Sequence, residues 1–185
     1  MKPIVISPPT VLFENKHVRL YSVQAGFEGS NKTYYVADRG VRVGVMLQRD
    51  HKVLLVKQYR HLINDYSWEL PSGRVGKGET LEQAARRECL EETGFECGRV
   101  TKFFAYMLSN DVIDAPAHLY VSSRFKKIKT FDNAEISQIK WVPFAQCLQD
   151  IFAGNITCVF TILGLLTYAA TRKPDVFLAR PRRRK

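Results

Sequence analysis

Apolar and polar positions first alternate along residues 17–24, with Val18, Leu20 and Ser22 on one side and Arg19, Tyr21 and Val23 on the other. A period of two predicts a strand. Residues 26–31, rich in glycine, serine and asparagine, then read as a turn, and 33–37 as the returning strand. Residues 41–47 and 53–58 are β-rich runs around Arg49-Asp50-His51-Lys52, which predicts a second hairpin. Trp68-Glu69-Leu70 is a short strand stopped by Pro71, and further strands are expected at 100–106, 118–122 and 136–142. The period changes after Thr80. Leu81, Ala84, Ala85 and Cys89 fall at i, i+3, i+4 and i+8 on one helical face, with Thr80 suited to the N-cap and Gly94 to a left-handed stop. Two more helical patterns, 143–152 and 156–171, close the chain around Gly154-Asn155. Strands on both sides of a central helix, with helices at the end, predict an α+β sandwich.

Length and composition narrow this picture. A chain of 185 residues, 45% hydrophobic and 25% charged, suits one globular domain with a short appended element. The expected division is a strand subdomain at 1–39, a main domain at 40–173 and a basic tail at 174–185. The net charge is +10, and the last fourteen residues hold seven basic side chains against Asp175 alone. Such a run reads either as a solvated end or as a hold on RNA or another polyanion. Nucleic acid is therefore a possible partner, though not the favoured one. Cys89, Cys97, Cys147 and Cys158 form no CxxC pair and read as apolar fillers in a reducing compartment. The apolar run 158–170 contains Thr161, Gly164 and Thr167 and falls short of the roughly 20 residues a bilayer requires. It is expected to be a buried helix, with no membrane partner. The proline-rich start does not resemble a secretory signal, so a cytoplasmic location is expected.

The acids of the central helix change the picture most. At roughly 100° per residue, Glu88 lies about 20° to one side of Leu81 and Glu92 about 20° to the other. Both sit on the apolar stripe, and Glu91 flanks it. Like charges about 6 Å apart repel by roughly 3 kcal/mol at an effective dielectric near 20. The plain alternative is a solvated acidic helix partly paired with Arg86 and Arg87. The face assignment instead points to a positive ion in the gap. Oxygen donors alone select a hard divalent cation, Mg²⁺ or Mn²⁺. Arg87, between the faces, is placed to orient one of the carboxylates.

Residues 73–95 resemble the Nudix box: a glycine, five residues, a glutamate, seven residues, then R-E-U-x-E-E-x-G-U, with U a bulky aliphatic. Gly73, Glu79, Arg87, Glu88, Glu91, Glu92, Gly94 and Phe95 stand at the required spacings. Cys89 and Phe95 depart from the aliphatic pattern but remain apolar. The resemblance implies a Nudix-type α/β/α sandwich and a metal-dependent pyrophosphohydrolase. It implies that Glu88, Glu91 and Glu92 bind metal with the Ser72 carbonyl, that Glu79 orients the cluster, and that Arg87 anchors it.

Three further pieces are similar to the ADP-ribose and nucleoside-diphosphate-sugar pyrophosphatase branch, over roughly residues 11–171. They are Lys57-Gln58-Tyr59-Arg60, then Trp68-Glu69-Leu70-Pro71-Ser72-Gly73, and Asp132-Asn133-Ala134-Glu135 ahead of Trp141-Val142-Pro143. This likeness implies substrate contacts at Arg60, Glu69, Arg74 and Tyr35, and a homodimer formed through the N-terminal strands. It implies that Glu135 assists the attacking water, with Asp132 its rival, while Glu91 and Arg87 serve the same chemistry. The loop Leu108-Ser109-Asn110-Asp111 stands where ADP-ribose enzymes often carry Ser-Pro-Gly. The expected substrate is therefore the broader class of nucleoside diphosphate sugars, cut to a nucleoside monophosphate and a sugar phosphate. The alternatives are a pyrophosphohydrolase of capped or triphosphate-ended RNA and a non-catalytic nucleotide-sensing module.

Overall fold

The structure, a computed structural model, describes residues 2–132 and 134–172. The expected tail at 174–185 lies outside the described residues. The chain opens with β1 (Val5–Ile6), β2 (Thr10–Glu14), β3 (Arg19–Phe27) and β4 (Ser30–Asp38). It continues through β5 (Arg42–Arg49), β6 (Lys52–Arg60), β7 (Asp65–Glu69) and β8 (Ser72–Arg74) to α1 (Leu81–Thr93). There follow β9 (Phe95–Cys97), β10 (Thr101–Met107), β11 (Ile113–Asp114), β12 (Pro116–Ser122), β13 (Phe125–Lys127) and β14 (Ile136–Pro143). The last elements are α2 (Phe144–Phe152) and α3 (Val159–Arg172).

Two compact units emerge. The first joins the chain up to Arg42 with Ala105–His118, and the second joins Val43–Phe104 with the chain from Leu119 on. Residues 105–118, beyond the sequence-based boundary at 39, thus cluster with the N-terminal strands. In the first unit the strand order is β1-β3-β4-β11, with β2 also paired to β3. The β3–β4 hairpin is tighter than the six-residue turn the sequence suggests. Phe27 pairs with Ser30, leaving only Glu28 and Gly29 to turn, and Gly29 takes φ +77°. One residue able to adopt positive φ suffices, so the strands run further toward each other.

In the second unit, β5 and β6 are joined by Asp50 and His51, both at positive φ (50° and 59°), as a type I′ turn requires. The larger sheet runs β10-β12-β5-β6-β14, with β7 on β6 and β8 on β5. Val43, Val45 and Leu47, alternate residues of β5, pack with Leu54 against Ala84, Ala85 and Cys89 of α1. On the opposite side, a Cβ on Gly44 would overlap the Phe160 ring of α3, and one on Gly164 would meet Leu70 Cδ1 at 2.8 Å. The sheet is therefore covered by α1 on one face and α3 on the other, the expected α/β/α layering. α3 has 14 residues, and no helix among the described residues is long and apolar enough to cross a membrane.

α1 begins and ends as its sequence dictates. Thr80 Oγ1 accepts from the Gln83 amide at 3.2 Å while Gln83 Oε1 accepts from the Thr80 amide at 2.8 Å, a full capping box. Gly94, at φ 72°, donates its N–H to Leu90 O at 2.9 Å. Lys127 Nζ adds a 2.7 Å bond to the Thr93 carbonyl, placing a cation at the negative end of the helix. Both unusual box residues are buried: Cys89 fully, and Phe95 edge-on to Phe125 and Trp141. The Cys97 thiol donates to Cys89 Sγ at 2.9 Å, and Cys147 is also buried.

Candidate functional site

The helical register brings Glu88 and Glu92 inward, 9% and 7% exposed, beside Ala84, Ala85 and Cys89. Glu91 flanks them with 46% of its side chain exposed. β8 passes close by. A Cβ on Gly73 would overlap the Glu88 carboxyl group, so only glycine lets the carboxylate lie against this strand. The Ser72 amide donates to Glu92 Oε2 at 2.9 Å, and Gln58 Nε2 donates to Glu92 Oε1 at 2.8 Å. Both donors are neutral. Burial, reinforced by the charges of Glu88 and Glu69, pushes the Glu92 carboxyl up to about 8 against the relief those two hydrogen bonds give.

Arg87 gathers the other acids. Its Nε and Nη2 fork onto Glu79 at 2.7 and 3.0 Å, and its Nη1 reaches Glu88 at 2.7 Å and Glu91 at 3.0 Å. Nη2 also donates to the Arg74 carbonyl at 2.9 Å. The Arg87 bond, with help from the Gly76 amide, holds Glu79 down at about 2, and Arg87 itself is held above its ordinary value chiefly by Glu79. Helical position places Arg87 to orient one carboxylate, and the resemblance implies that it anchors the cluster. The structure gives it three, because a guanidinium presents donors along several edges.

Arg60, at the end of β6, forks onto Glu69 of β7: Nε to Oε1 at 2.7 Å and Nη2 to Oε2 at 2.5 Å. The Glu69 side chain is 5% exposed and that of Arg60 45%. Glu69, expected to touch substrate, is thus engaged in orienting Arg60, and Nη1 lies outside the fork. Arg74 contributes its carbonyl to Arg87 and is exposed at the end of β8. Tyr35 lies on β4 of the first unit, 65% exposed. In the same unit a cavity of about 250 Å³ is lined by Val36, Ser109, Asn110, Asp111 and Asp114, and contains none of the α1 carboxylates.

The loop bearing the two rival carboxylates is tied to the helix, since the Asp132 amide donates to the Glu91 carbonyl at 2.9 Å. Asp132 Oδ1 accepts from the Ala134 amide at 2.9 Å, so this carboxylate holds its own turn. Glu135 is exposed and directly precedes Ile136, which pairs with Gln58. Gln58 has no role in the sequence reading. Its signal was position: two and four residues after the apolar Val56 and Leu54, it takes the same side of β6 as they do, and it is 5% exposed.

Among the described residues, no three His, Cys, Asp or Glu side chains converge as a ready chelating group. Glu91 turns to Arg87 and Glu92 to Gln58 and Ser72. The donor set nevertheless fits a hard divalent cation. Arg60 is balanced by Glu69 and Arg87 by Glu79, which leaves Glu88, Glu91 and Glu92 as a net negative, oxygen-only group beside a buried face.

Comparison with known proteins is consistent with this geometry. Residues 38–158 match the NUDIX domain model. The chain is 25% identical over 134 residues to a CMP-5'-(N-acetyl-N-hydroxy-3-aminopropyl)phosphonate hydrolase from Streptomyces rubellomurinus, covering 72% of this chain. The match spans 65% of that relative's length, under two thirds. It is 26% identical over 143 residues to an ADP-ribose pyrophosphatase from Bacillus subtilis, covering 75% of this chain and 77% of the relative. A crystal structure of an ADP compounds hydrolase superposes with a TM-score of 0.79 at 18% identity, covering 95% of this chain and 96% of the other, a likeness of fold.

Proposed function

Because the chain belongs to the NUDIX domain family, we propose that it hydrolyses the pyrophosphate linkage of a nucleoside diphosphate sugar, releasing a nucleoside monophosphate and a sugar phosphate. The observation that carries this reading is Glu92. It is a deeply buried carboxylate beside Glu88, held by two neutral donors rather than by a cation of the protein. Glu88, Glu91 and Glu92, with the backbone at Ser72, would hold Mg²⁺ or Mn²⁺. A bound divalent cation supplies neutralisation of diphosphate charge and acidification of water.

The protein's own groups account for the remaining work. Arg60, aimed by Glu69, offsets charge on a phosphate. Arg87 and Glu79 brace the acidic row against β8. Glu135, whose rival Asp132 is engaged in its own turn, positions or accepts a proton from the attacking water. Water adds to one phosphorus and the bond from that phosphorus to the bridging oxygen breaks. The diphosphate-sugar class is supported by the Bacillus subtilis relative's name. A homodimer through the N-terminal strands is part of the same reading, supported by β2, whose Val11, Leu12 and Phe13 are 43%, 56% and 51% exposed. Light scattering tests it.

The deciding experiment is a substrate panel: ADP-ribose, UDP- and GDP-sugars, dinucleoside polyphosphates and 5′-triphosphate RNA, each with Mg²⁺ and with EDTA. The reading expects turnover of diphosphate sugars that EDTA abolishes. Turnover of RNA alone, or turnover unchanged in EDTA, overturns it.

A further inference from the structure

Glu92 does not owe its orientation to its own helix. Its two oxygens are held from two different strands, Oε2 by the Ser72 amide of β8 and Oε1 by the Gln58 amide group of β6. The Ser72 bond comes from backbone and is available to any residue there. The Gln58 bond depends on one side chain. That side chain is 5% exposed, in a setting where an unpartnered amide is costly, and it uses Nε2 on Glu92 at 2.8 Å. Its backbone is pinned on both sides, opposite Ser67 of β7 and Ile136 of β14. A donor so fixed has little freedom to follow the carboxylate, so the carboxylate must follow it.

The choice of a neutral donor is informative. Arg87 already partners Glu79, Glu88 and Glu91, and a further cation at Glu92 would cancel the charge a metal needs. An amide fixes direction and leaves the charge intact. We propose that Gln58 is a positioning residue for the cation site: its Nε2–H aims Glu92, so that the carboxylate's remaining lone pairs meet the ion. The inference rests on the reading of Glu92 as a cation ligand. Because Ile136 opposite Gln58 directly follows Glu135, the same residue sets Glu92 against the strand that begins beside Glu135.

The test uses the full chain, with Mn²⁺ alone as probe and affinity read from the electron paramagnetic resonance signal of free Mn²⁺. Gln58→Leu removes the donor at similar volume, and Gln58→Met is the second variant should the first not fold. Loss of an outer partner of a metal ligand typically weakens binding by about ten- to a hundred-fold, and that loss is expected here. The rise in melting temperature produced by saturating Mn²⁺ should shrink in step. A merely structural role would lower the melting temperature with and without Mn²⁺ and leave the affinity alone. Mn²⁺ affinity within about threefold of the parent in a folded Gln58 variant overturns the inference while Glu92→Gln still loses binding. Parental Mn²⁺ binding by Glu92→Gln overturns both the inference and the cation-site reading. In the double variant, adding Gln58→Leu to Glu92→Gln should weaken binding no further, since the group it aims is gone.

Discussion

Replacing Glu92 by Gln should stabilise the cation-free protein while removing its response to Mn²⁺. Burial holds the Glu92 carboxyl at about 8 in the fold, against 4.5 for an ordinary glutamate. The folded state therefore binds this proton more tightly than the unfolded chain does. The stability linked to it is complete below pH 4.5 and is lost as pH rises through 8. Across that window each pH unit costs about 1.4 kcal/mol, so the deficit at pH 8 is on the order of 4 kcal/mol. Glutamine carries no charge to desolvate. Its carbonyl can still accept from the Ser72 amide, while its NH₂ faces Gln58, whose amide must turn over to accept. Allowing about 1 kcal/mol for imperfect hydrogen bonding leaves a net gain of roughly 2–3 kcal/mol. For a chain of 185 residues that is about 4–12 °C in melting temperature. Thermal melts of both proteins in EDTA from pH 5 to 9, repeated with Mn²⁺, provide the assay. The parent should fall relative to the variant as pH rises, and only the parent should gain from Mn²⁺. A variant that melts below the parent at pH 8 in EDTA, or pH profiles that run parallel, would refute the reasoning.

Other changes have equally definite outcomes. Gly73→Ala places a methyl group where the Glu88 carboxyl lies; it should cost about 1–3 kcal/mol of stability and most of the turnover, read by melts and by release of the nucleoside monophosphate. Glu79→Gln breaks the fork to Arg87. Because the Glu79 pKa is depressed to about 2, its stabilisation is present above 4.5 and lost as pH falls through 2. Acid unfolding curves should therefore show a shallower loss in the variant across that range. Glu69→Gln unties Arg60 and should raise KM for a diphosphate sugar more than it lowers kcat, measured by steady-state kinetics. Glu135→Gln should lower kcat by about 10²–10⁴-fold with Mn²⁺ affinity retained, whereas Asp132→Asn should chiefly lower stability.

How far the site was legible before the fold was known depended on the kind of signal each residue carried. The burial of Glu88 and Glu92 follows from helical spacing alone, because angular position about one axis is a property of the local sequence. The caps at Thr80 and Gly94 are local in the same way. The two- and three-residue strands β1, β8, β9, β11 and β13 left no such trace, since a period cannot be read from so few residues. Pairing with a distant partner makes them strands, as when Ile113 and Asp114 lie parallel to Ala37 and Asp38.

Residue order alone determined the α1 helix, its ends, the face on which its acids lie and the layered fold class. Assembly of the strands around that helix decided which group each acid meets. Gln58 reaches Glu92 across 34 positions and the Ser72 amide across 20, while the Glu69–Arg60 fork depends on the register of β6 and β7. Periodicity states which side of its own element a residue occupies. The partner waiting on that side belongs to another element, and only packing the elements together brings donor and acceptor within hydrogen-bonding distance.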